Sequence, residues 1–284
     1  MLTNNNQFGA RPQLLDADRG PTKSPSANVN ARELARMLSL EVDAQCAIDG
    51  VTFTTRRVAE GETLFRSGDP FHSLYVVRSG FFKLLMLDPS GTEQVLSFPM
   101  QADVMGGDGL ATGQYGSEAI AIEDAEVIIV PFARLIALTR QVPEVERIVY
   151  NILSRELVRE QAMLYVIGTL HADARVAAFL LDLSRRFGAL GYSRASFNFR
   201  MTRQEIGSYL GLKLETVSRA LSSFDAAGFI KVHLKEVEIR DRAGLKRVVD
   251  EPVATPSKTR QVKRVVPTVA TARRSSVFTP LMAA

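Results

Sequence analysis

The chain has 284 residues, 46% of them apolar, enough for two domains of ordinary size that each bury a core. No run approaches the ~18 consecutive apolar residues of a membrane span, and the start "MLTNNNQFGARPQLLDADRG" lacks the features of a secretory signal, so a cytoplasmic protein is expected. The single cysteine excludes an internal disulfide. The net charge of +4 is uneven: residues 1–172 hold 15 Lys/Arg against 21 Asp/Glu, residues 173–250 hold 14 against 9, and residues 252–284 hold six basic side chains and no acid, so any polyanionic partner belongs to the C-terminal part.

Residues 1–30, rich in Asn, Pro, Ser and Gly, show no period and are expected to be disordered. From Ala31 to Asp49 the apolar residues Leu34, Met37, Leu38, Val42 and Ile48 predict a helix. Short Val, Leu, Tyr and Phe runs then alternate with Gly61, Gly68, Gly80 and the turn Asp88-Pro89-Ser90-Gly91, which predicts antiparallel strands over 52–132 in a small barrel or sandwich. A first domain is assigned to residues 31–142.

Residues 143–170 open on Pro143 and contain no glycine before Gly168, which predicts one helix of about 28 residues, roughly 40 Å long. Its apolar stripe is interrupted by Arg155, Glu156, Arg159 and Glu160, as in an imperfect helix–helix seam. The expected dimer interface is Ile148, Ile152, Leu157, Glu160 and Met163; the alternative is a helix packed only on its own chain.

Residues 171–249 form a third unit. The amphipathic "ADARVAAFLLDLSRRF" and the strand "SFNFRM" precede Thr202-Arg203-Gln204-Glu205, a capping box that starts a helix ending at Gly211. A second helix runs to Gly228, and "FIKVHLKEVEIRD" alternates as two short strands. Helix, glycine turn, helix and hairpin make a winged helix-turn-helix. Residues 250–284 are read as a basic disordered tail.

In "LGLKLETVSRALSSF" (210–224), Leu210, Leu214, Val217, Leu221 and Phe224 share one helix face; Glu215, Ser218, Arg219 and Ser222 share the other. At the start of a recognition helix, Arg219 can bond guanine bidentately, Glu215 can accept from cytosine and Ser218 can do either, each good bidentate contact discriminating by ~1–3 kcal/mol. Thr202, Arg203 and Lys213 complete the expected DNA-binding set, and Ser222 is peripheral. The plain alternative is an i, i+4 ion pair of Glu215 with Arg219 on a solvated helix, worth ~0.2–0.5 kcal/mol.

Over roughly residues 50–245 the sequence resembles the CRP/FNR family of bacterial transcription regulators, most specifically in "MTRQEIGSYLGLKLETVSRALSSFDAAGFI" and "DARVAAFLLDLSRRF". The stretches "GETLFRSGD", "SLYVVRSGFFKL" and "GTEQVLSF" are similar to that family's sensor domain. The resemblance implies an α+β protein: an antiparallel β-roll of the cyclic-nucleotide-binding kind, a long dimerisation helix and the winged helix-turn-helix. Glu215-x-x-Ser218-Arg219 resembles the signature of the FNR branch. That implies a homodimer reading an inverted repeat like TTGAT-N4-ATCAA in double-stranded DNA, with RNA polymerase as partner. An acidic residue also stands in the FNR seam, where it keeps the dimer conditional; Glu160 is the counterpart.

The sensor departs from its relatives. FNR itself carries four cysteines for an iron–sulfur cluster, whereas Cys46 stands alone, and one thiolate cannot hold that cluster. The cyclic-nucleotide branch uses a Gly-Glu and an Arg-Ser pair, and "VMGGDGLATGQYGSEAIA" offers neither pair, so cAMP is not expected. No metal site is expected. Cys46 is a candidate redox thiol against the plainer reading of a small buried hydrophobe. His72 or His171 leaves haem open. A β-roll that binds a small molecule and acts mainly through protein contacts is the alternative function. No catalytic set stands out, so an enzyme is not expected.

Overall fold

A computed structural model describes residues 27–40, 48, 50–88 and 90–250. Cys46, the expected tail beyond Asp250 and most of the expected N-terminal disorder lie outside the described residues.

The expectation for residues 1–30 fails at its end. Strand β1 (Asn28–Asn30) pairs antiparallel with β2 (Thr52–Val58), Val29 opposite Phe53. Val29 is buried in the core, which anchors the strand. The Asn30 side chain then accepts the Glu33 amide at 2.7 Å and caps α1 (Ala31–Met37). This helix is shorter than predicted and ends where Ser39 turns to φ 53°.

The roll continues through β3 (Thr63–Phe65), β4 (Ser73–Ser79), β5 (Phe82–Leu87), β6 (Glu93–Ser97), β7 (Val104–Met105), a 3-10 turn (Gly107–Leu110), β8 (Glu118–Ala121) and β9 (Ala125–Pro131). Two antiparallel sheets form, ordered β1-β2-β9-β4-β7 and β3-β8-β5-β6. Val58, Phe65, Val77, Phe82, Met105 and Val127 fill one core cluster. Between β4 and β5, Gly80 takes φ +84°; a Cβ there would lie 2.6 Å from that of Ala125, so only glycine permits the corner. Helix α2 (Phe132–Gln141), which the sequence pattern did not predict, leads into α3 (Pro143–Thr169).

The winged unit comprises α4 (Ala172–Ala189), β10 (Ser196–Asn198), α5 (Arg203–Leu210), α6 (Leu214–Ala226), β11 (Ile230–His233), β12 (Glu236–Ile239) and α7 (Arg242–Asp250). The three strands pair in the order β10-β12-β11. Helix α7 was not foreseen either: Leu245 is fully buried, so Asp250 ends a helix instead of beginning a tail.

Polar contacts join the roll to the rest. Asp103, preceding β7, accepts Arg159 of α3 at 2.8 Å and Arg186 of α4, and Arg186 also donates to the Phe98 carbonyl at 3.0 Å. On the β6 edge the Val95 amide donates to Ser208 Oγ of α5 at 2.9 Å, and that hydroxyl donates to the Glu93 carbonyl at 3.1 Å. Lys83 Nζ donates to Glu205 Oε1 at 3.0 Å.

Candidate nucleic-acid interface

The reading head is set by its turn. Thr202 Oγ1 accepts the Glu205 amide at 3.1 Å, and Glu205 Oε2 accepts the Thr202 amide at 2.7 Å, closing the predicted capping box. Gly211 is left-handed at φ 63°, and the Leu212 amide bonds back to the Gly207 carbonyl at 2.8 Å. A Cβ on Gly207 would sit 2.7 Å from the Leu212 carbonyl oxygen, so the tight helix-turn-helix corner requires glycine there as well. Arg175 bonds the carbonyls of Leu170 at 2.9 Å and Leu210 at 3.1 Å, tying the ends of α3 and α5 together.

Helix α6 buries Val217, Ala220, Leu221 and Phe224. Leu214, expected in the core, is 43% exposed because it opens the helix and overhangs the packed face. On the other side Glu215 and Arg219 are exposed and Ser218 is half-buried. Among the described residues neither Glu215 nor Arg219 makes an ion pair or a side-chain hydrogen bond, so the i, i+4 pair of the plain reading does not form. Arg203 Nη1 lies 3.5 Å from Ser218 Oγ, a loose contact. Ser222 Oγ donates back to the Ser218 carbonyl at 3.0 Å and is spent within the helix. Thr202, Arg203 and Lys213 are exposed nearby, but the Thr202 hydroxyl serves the cap. The wing adds Lys231 and Lys235, which the pattern did not single out; its tip is Leu234, 84% exposed at φ 54°.

Helix α3 carries two apolar stripes, and they face different ways. Ile148 and Ile152 pack on the chain's own core beside α1 and α2, and Met163 packs on the cluster that the winged unit shares with Phe81, Val95, Phe98 and Met100 of the roll. Those three expected interface residues therefore turn inward. Leu157 is 55% exposed and Glu160 is also exposed. Tyr150, Leu153, Leu157, Leu164 and Ile167 form a second, outward stripe at alternating steps of three and four, with Glu160 occupying the remaining step. That is a heptad seam with one acidic position.

The sequence profile of the Crp-like helix-turn-helix domain matches residues 174–248, and that of the cyclic nucleotide-binding domain matches residues 55–142. The transcriptional regulatory protein Btr of Bordetella pertussis is 40% identical over 195 residues, 69% of this chain and 81% of the relative. The transcriptional activator protein Anr of Pseudomonas aeruginosa is 40% identical over 204 residues, 72% of this chain and 84% of the relative. The solved structure of FixK2 from Bradyrhizobium japonicum aligns at a TM-score of 0.64 and 28% identity, over 70% of this chain and 98% of that one. The chain belongs to the CRP/FNR family of transcription regulators.

Within this CRP/FNR regulator the interior of the roll does not suit the family's cyclic nucleotide. Asp108 Oδ2 accepts the Gly116 amide at 3.1 Å and the Ser117 hydroxyl at 2.7 Å, so a carboxylate already engages donors of the stretch that would meet a phosphate. Tyr115 stacks on Phe65 at 4.2 Å between ring centroids, and its hydroxyl donates to the Ser73 carbonyl at 2.8 Å. A second anion beside Asp108 would be poorly compensated, since Arg66, the arginine beside this stretch, already stands 3.9 Å from Glu118 Oε1. His171 is the N-cap of α4, its Nδ1 accepting the Ala174 amide at 3.3 Å, while His72 is exposed at the start of β4. No group of three or more His, Cys, Asp or Glu that could hold a metal ion occurs among the described residues, and none of their helices is long and apolar enough to cross a membrane.

Proposed function

We propose that the protein is a cytoplasmic homodimeric activator that reads an inverted repeat like TTGAT-N4-ATCAA through Glu215, Ser218 and Arg219, and that it contacts RNA polymerase. The observation that carries this reading is that Glu215 and Arg219, on the exposed face of α6, make no ion pair or side-chain hydrogen bond among the described residues. A carboxylate beside phosphates is repelled unless it meets a base amino group, so Glu215 favours base reading over charge attraction. The outward seam of α3 supports the dimer, and an inverted repeat mirrors its two-fold symmetry. Activation follows the role of Anr, a transcriptional activator.

The test is competitive titration of labelled duplexes carrying intact, half and scrambled repeats. The intact repeat is expected to bind at least a hundredfold more tightly than the scrambled one, with Arg219→Ala removing most of that ratio. Equal affinity for all three would refute base reading and favour a roll that acts through protein contacts.

A further inference from the structure

A cleft of about 640 Å³ opens between α3, α4 and α5. Its α3 wall consists of Ser154, Arg155, Val158, Arg159, Ala162, Met163 and Val166, which at 100° per residue lie roughly opposite the outward seam. A partner helix on that seam therefore leaves the cleft open. Apolar side chains of α3 and of Phe179 and Leu210 make its floor, and this volume is that of sites for small organic molecules.

The polar groups of the cleft are few and mostly basic. Arg155 bonds only the carbonyls of Leu38 at 2.8 Å and Ser39 at 3.5 Å, so no carboxylate among the described residues answers its charge. Arg185 is two-thirds exposed and has Asp182 at 2.6 Å as its partner. Arg159 is satisfied by Asp103 and Glu156. The Tyr209 hydroxyl makes no hydrogen bond among the described residues, although its ring is held edge-on by Phe98 and Phe179, with centroids at 5.3 and 5.9 Å. Arg155 is thus the cleft's guanidinium without a carboxylate partner among the described residues, Arg159 and Arg185 are paired, and Tyr209 stands at the same wall beside the apolar floor.

We propose that this cleft binds a small amphipathic organic anion, whose apolar or aromatic body covers the floor while its acid group meets Arg155 and Arg185. The inference stands independently of the DNA sequence the protein reads. A ligand there touches the dimer helix, α4 and the first helix of the reading head together.

The probes are 8-anilinonaphthalene-1-sulfonate and its neutral counterpart N-phenyl-1-naphthylamine, titrated by fluorescence into the full chain. The sulfonate is expected to saturate one site per chain. Arg155→Gln with Arg185→Gln, both on the surface, should weaken the sulfonate tenfold or more and leave the neutral probe within about twofold, since only the sulfonate loses charge-assisted bonds. Ala178→Phe, which fills the cleft, should abolish the saturable binding of both probes. Leu135→Phe, which fills the separate apolar cavity lined by α1, α2 and α3, should change neither. The proposal is overturned if the arginine pair affects both probes equally or not at all, or if Leu135→Phe rather than Ala178→Phe removes binding.

Discussion

On the proposed reading of the repeat, the chemistry of one guanidinium, that of Arg219, separates base recognition from mere attraction. Arg219→Lys keeps the charge and discards the forked donor, so the preference for the intact repeat should fall by ~1–3 kcal/mol while the salt dependence of binding stays nearly constant. Competition titrations at several salt concentrations measure both. Two glutamates respond to pH in opposite senses. Burial pushes the Glu205 carboxyl up, but the Thr202 backbone amide and Lys83 outweigh it and hold it below its ordinary 4.5. Its contribution to stability is therefore complete above that ordinary value and is lost as the pH falls through the lower folded one. Glu156 is raised above 4.5, first by burial, so the folded state holds its proton longer and loses stability as the pH rises through that window. In thermal unfolding, Glu205→Gln should lower the midpoint at pH 7 and much less at pH 3, whereas Glu156→Gln should raise it at pH 7 and leave it nearly unchanged at pH 4. The capping box was legible because Thr202 and Glu205 stand three apart at the head of an apolar run. The exposure of Leu214 was not, since periodicity names a face without saying where the covering neighbour ends.

Helix α3 shows how far element-scale reading goes. Its extent was legible from Pro143 and the absence of glycine before Gly168, yet of the five residues assigned to the partner Ile148, Ile152 and Met163 pack against its own chain and only Leu157 and Glu160 lie on the outward seam. Spacing of three and four marks an apolar face but not what covers it, and a helix with two such faces leaves the assignment open until the core is known. Strand β1 and helices α2 and α7 escaped for a related reason: each is short, and each is ordered by tertiary burial, as Val29, Leu138 and Leu245 are. The outward seam gives Glu160 a specific consequence. In a parallel pair of α3 helices it faces its symmetry mate, and like charges at a seam weaken association. Glu160→Leu removes the repulsion and buries one leucine per chain, at ~1.5–3 kcal/mol each, so the dimer dissociation constant should fall roughly a hundredfold or more in sedimentation equilibrium. Leu157→Glu should raise it. An unchanged constant in both variants would place the interface elsewhere.

At the scale of the whole molecule, the roll and the reading head were legible as separate segments, but the joint between them was not. Asp103 lies 56 residues from Arg159 and 83 from Arg186, and nothing local in the sequence announces either contact. Asp103 is 8% exposed, so its charge is acceptable only because both guanidiniums answer it. Asp103→Asn leaves Arg186, itself mostly buried, without its carboxylate, at a cost of about 3 kcal/mol. Ser208→Ala takes the partner from the Val95 amide on the edge of β6, at ~1–3 kcal/mol. Both changes act at the joint between the two parts, where Phe81, Val95, Phe98 and Met100 of the roll also share one apolar cluster with the winged unit. With that cluster in place, the double variant should unfold in one calorimetric transition, as the parent does, but at a lower temperature. The DNA contacts remain, but the head is held in its working orientation for only a fraction of the time, and apparent affinity falls by that fraction. A double variant that melts once, at the parent temperature, and binds DNA as the parent does would mean that Asp103 and Ser208 hold nothing that folding or reading requires.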